Sequence, residues 1–354
     1  ELYQPPRTLP NSWYESLLAK KFEKHTGICS RSISDEDEVA LAAQAIGRLV
    51  DQSRCRLDDC AALLFVSPSL IPQAVARKHL SREMARREQP TRLARELALS
   101  LKIAPRRVVG MNGFCSGYAK ALSSLQHRVL PQLNLGTNEF VLLVTSSRIS
   151  RITDYQCRAS GALFGDFATA TLISRRDSVR YPVHFDLLDA QFERQTSNQA
   201  FFDFSVRDNV LVPTRNGDRE YQPRRVVFSL DGMGIADTAP RAMAQAAAEM
   251  VKKNRLAPDQ IDCIVPHQAG RGIVRLTSMK LEQAGFAVEP INGHTAQTGN
   301  ISSGSVPHAL KQQWDSLHGR ILCPVAAVGA PGKAEVSRGC ILLRRQSRSN
   351  AMAG

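Results

Sequence analysis

Short apolar runs alternate along this chain with stretches whose apolar positions recur every three or four residues. The runs predict strands over residues 61–66, 107–111, 140–145, 167–174, 179–187, 225–230, 261–265, 321–328 and 340–344, because brief apolar segments bounded by turn residues fit a pleated sheet. The amphipathic stretches predict helices over 38–50, 91–101, the segment after Cys115, 240–253, 271–284 and 305–317. Strands and helices in alternation imply mixed, largely parallel sheets covered by helices. The least regular stretch is 175–225, with loops expected at 195–199 and 216–218. Between 68 and 93 no apolar stripe of core quality is visible, while Arg77, Lys78, Arg82, Arg86, Arg87 and Arg92 accumulate. That stretch predicts a basic surface helix.

The pattern also locates chemistry. The run Arg107-Val108-Val109-Gly110-Met111 breaks at Asn112-Gly113, and after Cys115 the residues Tyr118, Ala121, Leu122, Leu125 and Val129 recur at helical spacing. The N–H groups of that helix start point at the sulfur, so the thiol pKa is expected to fall. A buried cysteine filling space is the competing reading. Two further junctions carry His267, after the apolar 261–265, and Asn300, in the small-residue turn 298–306. Taken singly, such a histidine is usually a satisfied structural residue and such an asparagine a helix cap. Cysteine, histidine and asparagine in this order, each on a strand-to-helix junction, form a more specific constellation.

Composition narrows the function classes. At 354 residues the chain buries a large core. No apolar run approaches the roughly 20 residues that cross a bilayer, so no membrane association is expected. No signal peptide is visible, although the chain begins at Glu1 without a methionine. The 8 cysteines are scattered and several lie in apolar runs, which fits a reduced, cytoplasmic protein. Cys55 and Cys60 stand close together but lack a second Cys or His pair, so no metal site is expected. The net charge of +13 and pI near 9.7 call for an anionic partner. Nucleic acid is not that partner, since the basic residues are not interleaved with aromatics and no nucleic-acid motif appears. An unspecialised solvated basic surface is the plain alternative.

These motifs resemble the thiolase superfamily and, within it, the beta-ketoacyl-acyl-carrier-protein synthase III family. The similarity runs through Lys24-His25-Thr26-Gly27-Ile28 with Arg31, Gly113-Phe114-Cys115-Ser116-Gly117, Phe164-Gly165-Asp166, Val265-Pro266-His267-Gln268-Ala269, Gly299-Asn300 and a loop near Gly329. The resemblance implies a thiolase-like, five-layered αβαβα fold with two similar halves, 1–175 carrying the cysteine and 176–354 carrying the histidine and asparagine. No duplication is visible as sequence identity. The catalytic triad falls on Cys115, His267 and Asn300. The implied reaction is a decarboxylating Claisen condensation through acyl-Cys115, with an oxyanion hole from the Cys115 amide and an amide of the Gly329–Gly332 loop.

The same resemblance implies acyl-coenzyme A or acyl-carrier-protein thioesters as substrates, with no bound cofactor. It also implies an acidic acyl carrier protein docking on a basic rim, a small acyl thioester, a homodimer and a strand preceding Glu1. Four departures stand out: Lys21-Phe22 replaces a tryptophan, His25 an arginine, Gly270 an asparagine, and Val328-Gly329-Ala330-Pro331-Gly332-Lys333 a Phe followed by three glycines. Phe22, His25, Arg271 and Arg275 are the candidates left for donor or carrier contacts. The alternative activity is acyl transfer to a hydroxyl or amine without decarboxylation. A non-catalytic chain-length partner is a third reading, and Cys115 argues against it.

Overall fold

The computed structural model describes residues 7–346 except 15, 158, 215, 330 and 331. The segment 3–6 and the site of any strand before Glu1 lie outside the described residues. In chain order the strands are β1 (Arg7–Pro10), β2 (Ser30–Ile33), β3 (Cys60–Val66), β4 (Arg107–Met111), β5 (Phe140–Ser147), β6 (Phe167–Ser174), β7 (Phe185–Thr196), β8 (Phe202–Pro213), β9 (Arg219–Leu230), β10 (Cys263–Ile264), β11 (Arg320–Val328) and β12 (Glu335–Arg345). The helices are α1 (Ser16–Thr26), α2 (Glu38–Ser53), α3 (Gln73–His79), α4 (Arg82–Arg87), α5 (Pro90–Ser100), α6 (Gly117–Ser124), α7 (Leu130–Leu133), α8 (Gly232–Lys253), α9 (Arg271–Gln283), α10 (Thr295–Thr298) and α11 (Ser305–Gln312).

One sheet has the order β4-β3-β5-β6, with β3 parallel to β4 and β5, and β6 antiparallel. The other has the order β10-β11-β12-β7, with β10 parallel to β11 and the remaining pairs antiparallel. Every residue of β3 is buried, as a strand covered on both faces requires. Its alternate residues serve different layers. Leu64 and Val66 face a central core with Leu122 of α6, Leu125 just after it, Val306 and Ala309 of α11, and Val325 and Ile341 of the second sheet. Leu63 and Phe65 face outward to Ala42 and Ile46 of α2 and Leu97 of α5. On the far side, Ala247 and Met250 of α8 and Leu281 of α9 cover Leu322, Cys340 and Leu342. The result is the five-layered αβαβα arrangement, with α6 and α11 in its middle.

Several elements depart from the sequence expectation. The strand expected over 179–187 begins only at Phe185 and runs on to Thr196. The stretch expected to be irregular holds most of three long strands, because β8 and β9 form a hairpin registered from Phe202↔Leu230 to Pro213↔Arg219. The helix expected from 240 starts at Gly232, where the Asp231 side chain caps it by accepting the Gly234 N–H, and it carries Pro240 inside. The strand expected over 261–265 shrinks to Cys263–Ile264, and the helix expected to 317 stops at Gln312. The basic stretch forms two short helices rather than one, broken at Ser81, which caps α4. It does own a core face. Ile71, Ala76 and Ala85 are buried against Ile149, Ile152 and the hairpin residues Phe202, Phe204, Val226 and Phe228, while its six basic residues are exposed.

Arg151 ties that insertion to the body. Its guanidinium donates to Glu38 at 2.9 Å and to Glu88 at 2.6 Å, and both carboxylates are buried. Glu88 in turn accepts the Ile71 N–H at 2.7 Å. No described helix is long and apolar enough to cross a membrane.

Removing the cation alone leaves two buried carboxylates without it, a change that typically costs about 3–5 kcal/mol. Arg151→Met is therefore expected to lower the urea midpoint by a corresponding amount, and an unchanged midpoint would show that the bridge contributes nothing net.

Candidate active site

Two helix starts face each other in the central layer. In the first, β4 ends at Met111 and the Asn112 side chain accepts the Phe114 N–H at 3.0 Å. Phe114 takes a left-handed φ of 45°, a 3-10 turn covers Phe114–Ser116, and α6 follows from Gly117. In the second, the Asn300 side chain accepts the Ser302 N–H at 2.9 Å. Ser302 has φ 53°, a 3-10 turn covers Ser302–Gly304, and α11 follows from Ser305. The two turns share an asparagine side-chain bond, a left-handed residue two positions on and a 3-10 turn, with Cys115 and Ser303 in matching places. Gly117 is needed for the two to approach, since a Cβ there would lie 2.6 Å from Val66 Cγ1 and 3.2 Å from Ser303 Cβ.

This packing brings Asn300 and Ser302 to Cys115. The Ser302 hydroxyl lies 3.5 Å from Cys115 Sγ, and the half-buried thiol also receives the Asn300 amide. Asn300 is fixed by its backbone: its N–H donates to the Leu163 carbonyl at 2.9 Å and its carbonyl accepts the Gly165 N–H at 3.1 Å. The Phe-Gly-Asp motif owes its glycine to this contact, because a Cβ on Gly165 would sit 2.0 Å from the Thr298 carbonyl oxygen.

His267 arrives from the end of β10, and Ser305 orients it. Nδ1 lies 2.6 Å from Ser305 Oγ, which also accepts the Gln268 N–H at 3.2 Å. In the tautomer that carries its proton on Nε2, Nδ1 accepts the Ser305 hydroxyl proton while a lone pair of that oxygen takes the Gln268 N–H. Nε2 is buried and has no partner among the described residues, and in that tautomer it can donate to a ligand. Gln268 holds the loop by donating to the Pro266 and Ile291 carbonyls, each at 2.9 Å, and accepting the Gly293 N–H at 2.8 Å.

The electrostatics reverse one expectation. Burial pushes the Cys115 thiol up to about 11, while the Ser302 and Asn300 hydrogen bonds and its own backbone N–H pull it down by less. The helix start does not lower the pKa as expected, because the hydrogen bonds to the sulfur offset only part of its desolvation. Burial likewise pushes His267 down to about 4. The resting pair is a neutral thiol and a neutral imidazole, not a thiolate with an imidazolium.

The loop expected to complete an oxyanion hole is committed elsewhere. The Gly329 N–H donates to the Glu335 carbonyl at 2.8 Å and the Gly332 N–H to the Phe202 carbonyl at 3.0 Å; Ala330 and Pro331 lie outside the described residues. His25, Arg271 and Arg275 are exposed where α1 meets the start of α9, and Arg271 packs over Gly27. Phe22 is instead half-buried against the cluster of Trp13, Tyr14 and Tyr155. Cys55 and Cys60 are buried and free, and the described residues contain no cluster that would hold a metal. Sequence reading missed Ser302 and Ser305. Their signal was the spacing from Asn300, which repeats the spacing of Phe114 and Gly117 from Asn112.

A family profile described as 3-oxoacyl-[acyl-carrier-protein (ACP)] synthase III matches residues 109–191, and its C-terminal counterpart matches 251–330. The chain is 27% identical over 208 residues to a beta-ketoacyl-[acyl-carrier-protein] synthase III of Chlorobium luteolum, covering 59% of each. To the protein so described from Solibacter usitatus it is 28% identical over 342 residues, covering 93% of each. The chain thus spans less than two thirds of the first relative's length, and nearly all of the second's. Among solved structures, 3-oxoacyl-[acyl-carrier-protein] synthase III from Aquifex aeolicus superposes with a TM-score of 0.67 at 20% identity, covering 97% of both chains, which shows a shared fold.

Three neutral histidines surround the second turn: burial holds His267 at about 4, His294 at about 3 and His308 at about 4. Unfolding frees each to take up a proton near its ordinary value of about 6.5. Their depressed values mean that the unfolded chain binds more protons in this window, so stability is retained above about pH 6.5 and lost as pH falls toward 4. Calorimetry is expected to show Tm falling steeply from pH 6.5 to 4, and His308→Phe should flatten the slope; a flat profile in the parent protein would mean these rings are not held neutral.

Proposed function

The chain belongs to the 3-oxoacyl-[acyl-carrier-protein] synthase III family, and on that premise we propose that it performs a decarboxylating Claisen condensation through acyl-Cys115. The observation that carries this reading is the convergence on Cys115 of a hydroxyl and an amide from the 300–302 turn, beside a buried imidazole Nε2 that has no partner among the described residues. In the first step Cys115 Sγ bonds to the acyl carbon of a thioester. The donor's C–S bond breaks, and the thiol proton ends on the departing thiol. Cys115's own backbone N–H steadies the oxyanion. Gly329 and Gly332 do not serve it while their N–H groups remain in main-chain bonds.

In the second step a malonyl thioester loses carbon dioxide, and its thioester oxygen becomes an enolate. Asn300 and His267 Nε2–H donate to that oxygen, and both bonds strengthen as charge arrives. A neutral histidine and an amide suit the role because neither gives up charge or proton. The enolate carbon then bonds to the acyl carbon, the acyl–sulfur bond breaks, and the Cys115 thiolate takes a proton from solvent. Acyl transfer without decarboxylation needs no second pair of donors, so the held Asn300 favours condensation. Carrier-bound or coenzyme A thioesters as substrates, an acidic carrier protein as partner and assembly as a homodimer belong to the same reading.

Intact-mass spectrometry with a panel of acyl thioesters is expected to show an acyl mass on the protein and none on Cys115→Ala. Asn300→Ala and His267→Ala should slow malonyl decarboxylation by about 10²–10³ while sparing acylation. Equal loss in both half-reactions would point to a structural role instead.

Exposed Arg271 and Arg275 flank the His267 loop and are the candidates for carrier contact. Turnover with a carrier-bound malonyl group is expected to fall steeply with salt, since the Debye length is only about 8 Å at physiological ionic strength. Charge reversal at either arginine should raise KM for that substrate and leave a small thioester unaffected. Salt-independent turnover would remove the docking idea.

A further inference from the structure

His294 is buried, at 4% exposure, and has no place in the reaction described above. Its ring nitrogens reach both ends of one segment. Nδ1 lies 2.7 Å from Thr298 Oγ1, and Nε2 lies 3.2 Å from the Ser305 carbonyl oxygen. Between those ends lies everything the second turn gives to the site: Asn300, Ser302 and, at its last residue, the hydroxyl that orients His267.

We propose that His294 is a positioning residue, a clip that closes the 298–305 segment and so aligns Asn300 and His267 on a single substrate oxygen. The proposal rests on the condensing reading of the site. It starts from the backbone, which turns twice through positive φ inside the segment, at Gly299 (φ 70°) and Ser302 (φ 53°). The preceding helix, α10, is only Thr295–Thr298 and ends at Gly299. So irregular a path holds one shape only when contacts from outside over-determine it.

The ring is equipped for that. A carbonyl only accepts, so Nε2 carries the proton it donates to Ser305, and Nδ1 is left to accept the Thr298 hydroxyl proton. That hydroxyl also lies 3.1 Å from the His294 carbonyl and 3.0 Å from the Gly299 carbonyl, but only donation to Nδ1 satisfies the buried ring nitrogen. The imidazole is held from behind by the His308 ring at 4.6 Å, itself against Phe167 at 4.5 Å. One residue thus fixes the entry to the Asn300 turn and the carbonyl of the very serine whose side chain holds His267. Cys115, carried by the other half, does not depend on it.

His294→Phe keeps a ring against His308 and removes both hydrogen bonds, and Thr298→Val removes one with little change of volume. Misplacing a catalytic group by an ångström costs on the order of a hundredfold. His294→Phe is therefore expected to slow malonyl decarboxylation roughly tenfold to a hundredfold while acylation of Cys115 stays near the parent rate, with Thr298→Val smaller in the same direction. In spectra of ¹⁵N-histidine-labelled protein, His267 should move in both variants from a single Nε2–H tautomer toward averaged shifts. Parent-like decarboxylation together with unmoved His267 shifts in both variants overturns the clip. So does a loss shared equally by both half-reactions. If the parent protein acylates but never decarboxylates, the condensing reading fails, and the His267 shifts alone then decide whether His294 positions the loop.

Discussion

The site depends on the close packing of two identical turns. The α6 and α11 helices start side by side between the two sheets, separated by the width of one missing Cβ at Gly117. Each turn is built in the same way: an asparagine side chain holds an amide two residues on, and that residue takes a left-handed φ. A left-handed φ is uncommon for phenylalanine and serine and persists only where surroundings fix it. The surroundings here are the other turn. Shift either sheet and Cys115 loses Asn300 and Ser302 together.

That packing also sets the electrical character of the centre. Burial raises the thiol and depresses the imidazole, and no ion pair opposes either. In the proposed reaction charge would therefore appear only with chemistry, at the departing thiolate and at the enolate oxygen. Groups that donate without ionising are worth most in such a place, since a dry interior strengthens each hydrogen bond made to a developing anion. Two arginines tie neighbouring elements together, Arg151 with Glu38 and Glu88, and Arg338 of β12 with Glu193 and Glu249.

Beside the nucleophile the chain has its own construction. Phe114 packs edge-on against Phe202 at 4.9 Å, and Phe164, bridged to Asn300, packs against Phe228 at 5.4 Å. The β8–β9 hairpin thus touches both turns, and α3 and α4 close over it from outside. The basic stretch 68–93, expected to form only a surface helix, is part of the wall around the site.

How much of this was legible beforehand follows from what periodicity can carry. Apolar runs such as 61–66 and 140–145 announced themselves, because a strand buried on both faces is built mostly of apolar residues. The Cys115, His267 and Asn300 junctions were legible too, since strand-to-helix turns leave local marks in glycine, proline and small polar residues. The β8–β9 hairpin was not, because runs of exposed and half-buried residues break its alternation. The sequence by itself determined the alternating architecture and marked Cys115, His267 and Asn300 as candidates. Only the tertiary structure decided that burial raises the thiol, that Gly329 and Gly332 spend their amides on the main chain, and that Ser302 and Ser305 stand beside Cys115 and His267. Burial and hydrogen-bond partnership are properties of distant residues meeting, and no local pattern records them.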